Sequence, residues 1–261
     1  MSAIIAVDRI TKRYGGLTVL DACAFEVPRG SITGLIGPNG AGKTTLFNII
    51  AGVTAPDHGR ILLDGEEVTG QKPHELFGLG LARTFQIPKE WARMTVLENL
   101  MVVPRQQTGE HVLAAWFQGG RVRGEERAIQ HRADATLEIL GLSAHRTALA
   151  GTLSGGQKKL LELGRTMMVD AKVVLLDEPG AGVNRTLLGD LAHHIERLHR
   201  ECGTSFCIIE HDMDLIAPLC DPVIVMAEGR VIAKGKMAEI KADERVREAY
   251  LGAAPPGMAA A

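Results

Sequence analysis

Long apolar runs are missing from this sequence. None approaches the roughly 18 residues needed to cross a bilayer, and the apolar stretch Ile4 to Val7 is cut short by Asp8 and Arg9. Neither a membrane helix nor a signal peptide is therefore predicted. Cysteine is scarce as well. The four present, Cys23, Cys202, Cys207 and Cys220, lack paired C-x-x-C spacing and lie mostly in apolar surroundings. That excludes a disulfide framework and suits a reducing cytoplasm. An excess of one charge is also lacking. With 29 Lys and Arg against 31 Asp and Glu the formal net charge is −2, so the basic balance that feeds sequence-independent nucleic-acid binding is not there. No internal repeat is found. What remains is 261 residues, 46% hydrophobic and 23% charged, the composition of an ordinary globular protein with room for one core and a small appended lobe.

The 30 glycines cluster where short apolar runs end, the punctuation of strand-to-helix turns in α/β proteins. Early in the chain, Ile4 to Thr11, Cys23 to Val27 and Arg60 to Leu63 read as strands. They are bounded by the turn residues Gly15-Gly16, Pro28-Arg29-Gly30 and Asp64-Gly65, so an antiparallel subdomain is predicted. Ser31 to Ile36, Val173 to Leu176 and Ser205 to Ile209 are apolar without alternation, as strands covered on both faces are. They predict a parallel central sheet. Helical periodicity marks Val96 to Val103 and Glu125 to Leu140, separated by the polar stretch Pro104 to Glu110, and this region is assigned to a helical lobe. Pro222 to Met226 and Val231 to Lys234 flank a short turn containing Gly229, the pattern of a hairpin. The tail Ala253 to Ala261 has little to bury, and fraying is expected there.

Immediately after Ile36 comes Gly37-Pro38-Asn39-Gly40-Ala41-Gly42-Lys43-Thr44-Thr45, followed by the helical pattern Leu46 to Ala51. This is G-x-x-x-x-G-K-T between a strand and a helix. Its glycines let backbone N–H groups converge on an anion, the helix N-terminus adds partial positive charge, and Lys43 reaches the β and γ phosphates. Thr44 has the right hydroxyl for Mg²⁺. A Gly-rich turn with a surface lysine is the plainer reading, and the flanking strand and helix speak against it. The second acidic element is Val173-Val174-Leu175-Leu176-Asp177-Glu178. Its carboxylates stand at the C-terminal end of a strand, where open α/β sheets bind ligands. Asp177 would hold hydrated Mg²⁺, and Glu178 could act as general base toward the attacking water.

A third element, Leu153-Ser154-Gly155-Gly156-Gln157, lies upstream of Asp177 and opens the helical pattern Lys158 to Met168. With it the sequence resembles the ABC ATPases from Ile4 to about Gly252. Ser154, Gly155 and Gly156 can present a hydroxyl and backbone N–H groups as a second anion site at a helix N-terminus, and the resemblance adds Gln157 to it. The resemblance implies that this site works in trans, closing over the γ-phosphate bound by a second subunit so that two chains sandwich two ATP molecules head to tail. A plain Ser cap on a helix is compatible with that role. Carried over residue by residue, Tyr14 resembles the aromatic that stacks on adenine. Gln86 resembles the loop glutamine that touches Mg²⁺ and water, and His211 the switch histidine that contacts the γ-phosphate.

Asn184 stands where most of the family has Asp, and Asp177 to Asn184 resembles the ATP-binding subunits of branched-chain amino-acid importers. Ala82 to Gln86 with Met94 to Leu100, and Arg245 to Gly252, agree with that subfamily. Arg185 for Pro, Gly164 for Ala, and the loop Ile87 to Arg93 depart from it. The resemblance implies an α/β P-loop NTPase of ABC type, with a mixed central sheet, an antiparallel β subdomain and an inserted α-helical lobe at about 87–160. One cassette would occupy 1–252. The implied ligands are ATP and Mg²⁺. The implied partners are transmembrane permease subunits, a second ATP-binding subunit, either a related paralogue or a second copy of this chain, and, indirectly, a periplasmic or surface binding protein. The implied place is the cytoplasmic face of the cell membrane. Permease helices would dock near Gln86 and Trp91 to Leu100.

Other readings explain less. Chromosome-maintenance ABC ATPases carry a long coiled coil between their halves, and the interval from Gln86 to Ser154 has room only for a small lobe. Translation-factor members fuse two cassettes. A small-molecule kinase leaves Leu153 to Gln157 and His211 unexplained. His193, His194 and His199 read as a solvated helix face, with no zinc-ligand spacing, and Met167, Met168, Met213 and Met226 as core filling.

Overall fold

The computed structural model describes residues 2–84, 90–104, 107–108, 116, 119–169, 171–181 and 185–251. It divides into two compact units: Met1–Arg83 with Lys172–Ala181 and Ile195–Ala261, and Thr84–Ala171 with Gly182–His194.

The first unit carries two sheets. The antiparallel one has the order β2-β1-β4-β5, with β1 Ala3–Tyr14, β2 Leu17–Pro28, β4 His58–Leu63 and β5 Glu66–Glu67. Tyr14 pairs with Leu17 across Gly15-Gly16, and β4 turns into β5 through Asp64 and Gly65, whose φ angles are 56° and 86°. Two successive positive φ values make the turn that matches strand twist, which is why Asp-Gly was a readable signal. The second sheet has the order β10-β9-β3-β8-β7-β6. Strands β3 Ile32–Ile36, β6 Leu81–Arg83, β7 Val173–Asp177, β8 Ser205–Ile209 and β9 Val223–Ala227 run parallel, and β10 Arg230–Gly235 is antiparallel on β9. Every residue of β3, β7 and β8 is buried, in keeping with their unbroken apolar runs.

One core joins these sheets. Ile5, Ile10 and Leu20 from the antiparallel sheet and Leu35, Leu175 and Ile209 from the parallel one meet around Leu46, Phe47, Ile49 and Ile50. Those four belong to α1 Lys43–Ile50, so the helix that opens at the phosphate loop is fixed by apolar burial behind it.

In the second unit, α3 Val96–Met101, α4 Gly119–Ile139 and α5 Gly155–Met167 bury Val96, Leu100, Ala133, Leu137, Leu160, Leu161 and Leu163. Thr95 caps α3, its Oγ1 accepting from the Glu98 amide at 3.1 Å while Glu98 Oε2 accepts from the Thr95 amide at 2.7 Å, a reciprocal cap. A Cβ on Gly164 would lie 2.6 Å from Leu140 Cδ1, so the leucine methyl fills the space that a side chain at 164 would need.

Several boundaries differ from expectation. Helix α4 is already formed at Gly119, ahead of Glu125: Arg123 Nε donates to the Gly119 carbonyl at 3.0 Å and Arg121 pairs with Glu125. Strand β6 and α2 Pro73–Gly78 were not anticipated, being too short for a period to show. The α6 helix Arg185–Cys202 places His199 Nδ1 3.0 Å from the Thr204 carbonyl, so this histidine is bonded to the chain past its helix and is not simply solvated. Met168 and Met226 are buried as expected, whereas Met167 and Met213 are only half-buried. Cys202 is exposed, and the other three cysteines are buried.

Phe206→Ala, in a fully buried position of β8, should cost about 3–5 kcal/mol. Trp116→Ala, at 83% exposure, should change stability by less than about 0.5 kcal/mol. Denaturant midpoints of the two variants measure both.

Candidate nucleotide site

The loop after β3 can be built only from glycine at its critical points. Gly37 has φ 151° and Gly42 has φ 94°. A Cβ on Gly37 would sit 2.1 Å from the Met226 carbonyl oxygen, and one on Gly42 2.8 Å from the Val19 carbonyl oxygen. Helix α1 then starts at Lys43 with Gly42 as its cap, and the Leu46 amide donates to the Gly42 carbonyl at 2.9 Å. Pro38 and Thr45 are half-buried, Ala41 is buried, and Asn39, Gly40 and Thr44 are exposed.

Lys43 is only 8% exposed. Its Nζ donates to the carbonyls of Gly37 at 2.7 Å and Pro38 at 3.0 Å, so the ammonium lies folded over its own loop. Burial pulls its pKa down, and the charges of Glu178 and Asp177 oppose that shift. The lysine therefore feels both carboxylates that the sequence placed at the end of β7.

Asp177 is 3% exposed. Arg83 Nη2 donates to its Oδ2 at 3.0 Å, while Arg83 Nη1 donates to Asn48 Oδ1 at 2.7 Å. One guanidinium thus ties β6 to the acidic end of β7 and to α1. Burial pushes the Asp177 carboxyl up, with Arg83 pulling the other way. Glu178 follows with φ 49°, a left-handed conformation that costs a residue with a Cβ about 1–2 kcal/mol. Its amide donates to the Ile209 carbonyl at 2.9 Å and its carbonyl accepts from Ala181 at 3.1 Å. The strand therefore ends in a forced turn that redirects the carboxylate. His211, just beyond β8, has an exposed side chain. Tyr14, at the end of β1, is 50% exposed with the Lys12 ammonium 5.5 Å from its ring centre. Gln86 and Asn184 lie outside the described residues.

Ser154 and Gly155 are exposed, Gly156 and Gln157 half-buried. Ser154 Oγ accepts from the Gln157 amide at 3.3 Å and Gln157 Oε1 accepts from the Ser154 amide at 2.9 Å. The start of α5 is thus held open by a reciprocal cap. These residues belong to the second unit; the phosphate loop, Asp177, Glu178 and His211 belong to the first.

The family model of ABC transporters matches residues 20–181, and that of branched-chain amino acid ATP-binding cassette transporters matches residues 230–255. A probable branched-chain amino acid transport ATP-binding protein of Archaeoglobus fulgidus is 42% identical over 96% of this chain and 96% of its own length. The Escherichia coli protein named for high-affinity branched-chain amino acid transport is 34% identical over 96% and 98%. Among solved structures, a nucleotide-free ATP-binding cassette from an ABC transporter superposes with TM-score 0.81 at 38% identity, covering 95% of this chain and 99% of that one. The ADP conformation of another such cassette gives 0.81 at 37% identity, covering 97% and 100%.

The chain belongs to the ATP-binding subunits of ABC transporters. It is accordingly a nucleotide-binding ATPase whose turnover is coupled to transport, and its mixed sheets have the ABC ATPase architecture. Among the described residues no helix is long and apolar enough to cross a membrane.

Three features of this ABC subunit's site escaped the sequence reading. Arg83 stood within a quoted segment, but its bond to Asp177 joins positions 94 residues apart, which no local pattern announces. Glu210 lies between Ile209 and His211 and belongs to no motif of the sequence. Tyr250 lies on α9 Glu244–Leu251, inside the segment matched by the branched-chain model. Burial pushes its hydroxyl pKa up, and a hydrogen bond with the Gly37 backbone opposes that. The C-terminal helix therefore brings its tyrosine near the first glycine of the phosphate loop.

Gly37→Ala should abolish nucleotide binding, because its methyl would collide with the Met226 carbonyl. Gly40→Ala, at φ 81° with open space around the added methyl, should bear only backbone strain of about 1–2 kcal/mol and keep binding. Titration with a fluorescent ATP analogue separates the two.

Proposed function

We propose that this chain energises an importer of branched-chain amino acids or related small polar solutes from the cytoplasmic face of the cell membrane, paired head to tail with a second, related ATP-binding subunit. The observation that carries the hydrolytic part is the buried Lys43 ammonium under the influence of both Asp177 and Glu178. The cargo rests on the branched-chain names of the relatives and on the match over 230–255.

In this reading 1–252 is one cassette, with the helical lobe at about 87–160 and no role for 253–261. Incoming phosphates replace the Gly37 and Pro38 carbonyls as partners of Lys43, while the backbone N–H groups from Asn39 to Thr45 cradle the remaining oxygens. Tyr14 stacks on the adenine. Thr44 and Asp177 supply hard oxygen donors that fit a hydrated Mg²⁺, and Gln86 is the third assigned to it; the ion would neutralise charge on the phosphates. Glu178 takes a proton from water as the water oxygen bonds to the γ-phosphorus, and the bond to the β–γ bridging oxygen breaks with its electron pair leaving on ADP. His211 hydrogen-bonds the γ-phosphate. Ser154, Gly155, Gly156 and Gln157 close over the γ-phosphate bound by the opposite subunit, so ATP holds the pair together and hydrolysis releases it.

Permease subunits complete the machine. The region assigned to them includes Trp91, which is exposed on one side while the Arg165 guanidinium lies 4.0 Å from its ring centre. Beside it Glu90 pairs with Lys158 at 2.7 Å. A rigid aromatic backed by a cation is a suitable anchor for an intruding helix. The solute itself would be selected by a separate binding protein, and nucleic acid has no part.

Glu178→Gln should bind ATP normally but lower turnover about 10²–10⁴-fold, the usual contribution of a general base. Hydrolysis at the native rate would remove Glu178 from that role. Lys43→Ala should lose ATP affinity, read by the same titration. Affinity capture of the Glu178→Gln chain from detergent-solubilised membranes with ATP and Mg²⁺ should bring down permease subunits and a second ATPase. Recovery of ribosomes or nucleic acid without a permease would overturn the transport reading.

A further inference from the structure

Glu210 is the one buried acidic side chain besides Asp177 among the described residues, at 1% exposure. None of the steps above uses it. A carboxylate at that depth is costly unless donors fill its oxygens, and here backbone amides do so. Oε1 accepts from the Gly180 amide at 2.6 Å; Oε2 accepts from the amides of His211 at 3.1 Å and Asp212 at 3.4 Å. The His211 Nδ1 lies 3.8 Å from the same oxygen.

The placement matters because of what the two oxygens join. Gly180 is two residues past Glu178, on the loop that the left-handed turn creates, and His211 is the next residue after Glu210. The Glu178 amide is bound in turn to the Ile209 carbonyl. Two successive links therefore run between the loops: Glu178 to Ile209 through backbone, and Gly180 to Glu210 through a carboxylate. A backbone bond alone would let the loops pivot about it; a second attachment with charge-assisted bonds removes that freedom.

We propose that Glu210 is a positioning residue for hydrolysis, holding the loop of Glu178 and the loop of His211 in one fixed register. The inference rests on the assignment of Glu178 and His211 to the reaction. Glutamine at 210 keeps one acceptor oxygen for His211 and Asp212 but turns an NH₂ group toward the Gly180 N–H, a donor facing a donor. The register is then lost while the volume stays.

The test is steady-state hydrolysis by the purified full-length chain, with ATP titration and thermal unfolding of each variant. Glu210→Gln should lower kcat about tenfold, leave KM for ATP within about twofold, and unfold at nearly the native midpoint. In a His211→Ala background the same change should lower kcat by clearly less than tenfold, since residues acting as a unit are not additive. Native kcat in Glu210→Gln would overturn the proposal, as would a loss of kcat that tracks the loss of folded protein, or full additivity with His211→Ala. If Glu178→Gln keeps native turnover, the parent assignment fails instead, and the two failures are told apart by that control.

Discussion

Much of this site depends on how four charges share a small volume at the carboxyl ends of the central strands. Lys43 and Arg83 bring two positive charges; Asp177 and Glu178 bring two negative ones. Burial works against each charged form that is deeply enclosed, lowering the Lys43 pKa and raising that of Asp177, and the opposite charges work against burial. A cluster balanced in this way is stable with its lysine folded onto the Gly37 and Pro38 carbonyls. It still offers a polyphosphate a cation that needs only to exchange neutral partners for anionic ones. Since an ionised acceptor makes a stronger hydrogen bond than a neutral carbonyl, the exchange runs toward the bound nucleotide.

The same region concentrates backbone strain. Glu178 is held at positive φ at the point where β7 ends, and such conformations persist only where surroundings over-determine them. Here the surroundings can be named. The Ile209 carbonyl takes the Glu178 amide, Ala181 donates back to the Glu178 carbonyl, and Glu210 fixes Gly180. Behind them stands a sheet whose β3, β7 and β8 are buried throughout. The rigid sheet absorbs the cost, and the chemistry is carried by loops attached to it at more than one point.

This division also explains what could be read from the sequence. The central strands were legible because double-sided burial writes an unbroken apolar run. The phosphate loop was legible because steric demands at Gly37 and Gly42 allow no other residue and fall within nine consecutive positions. Asp177 and Glu178 were legible as the polar end of an apolar strand. Strand β6 was not, since three residues carry no period and its existence depends on pairing with β7. Arg83 and Glu210 were not, because the feature that gives each its role is a partner remote in the chain. Helix α4 extends ahead of its apolar pattern because polar contacts of Arg121 and Arg123 sustain those turns.

The C-terminal helix shows how a subfamily feature can reach the common chemistry. The branched-chain family model matches residues 230–255, and β10 and α9 lie within them. Strand β10 is paired to β9, whose Met226 carbonyl forbids a side chain on Gly37, and the Gly37 backbone lies close enough to the Tyr250 hydroxyl of α9 to pull its pKa down against burial. One glycine of the phosphate loop thus has the C-terminal hairpin and helix both close to it. A loop whose amides must converge on phosphate gains from such neighbours, because donors already aimed at the anion need not be ordered when it arrives. The distinctive C-terminus is therefore mechanically continuous with the nucleotide site, and changes in one have a short physical path to the other.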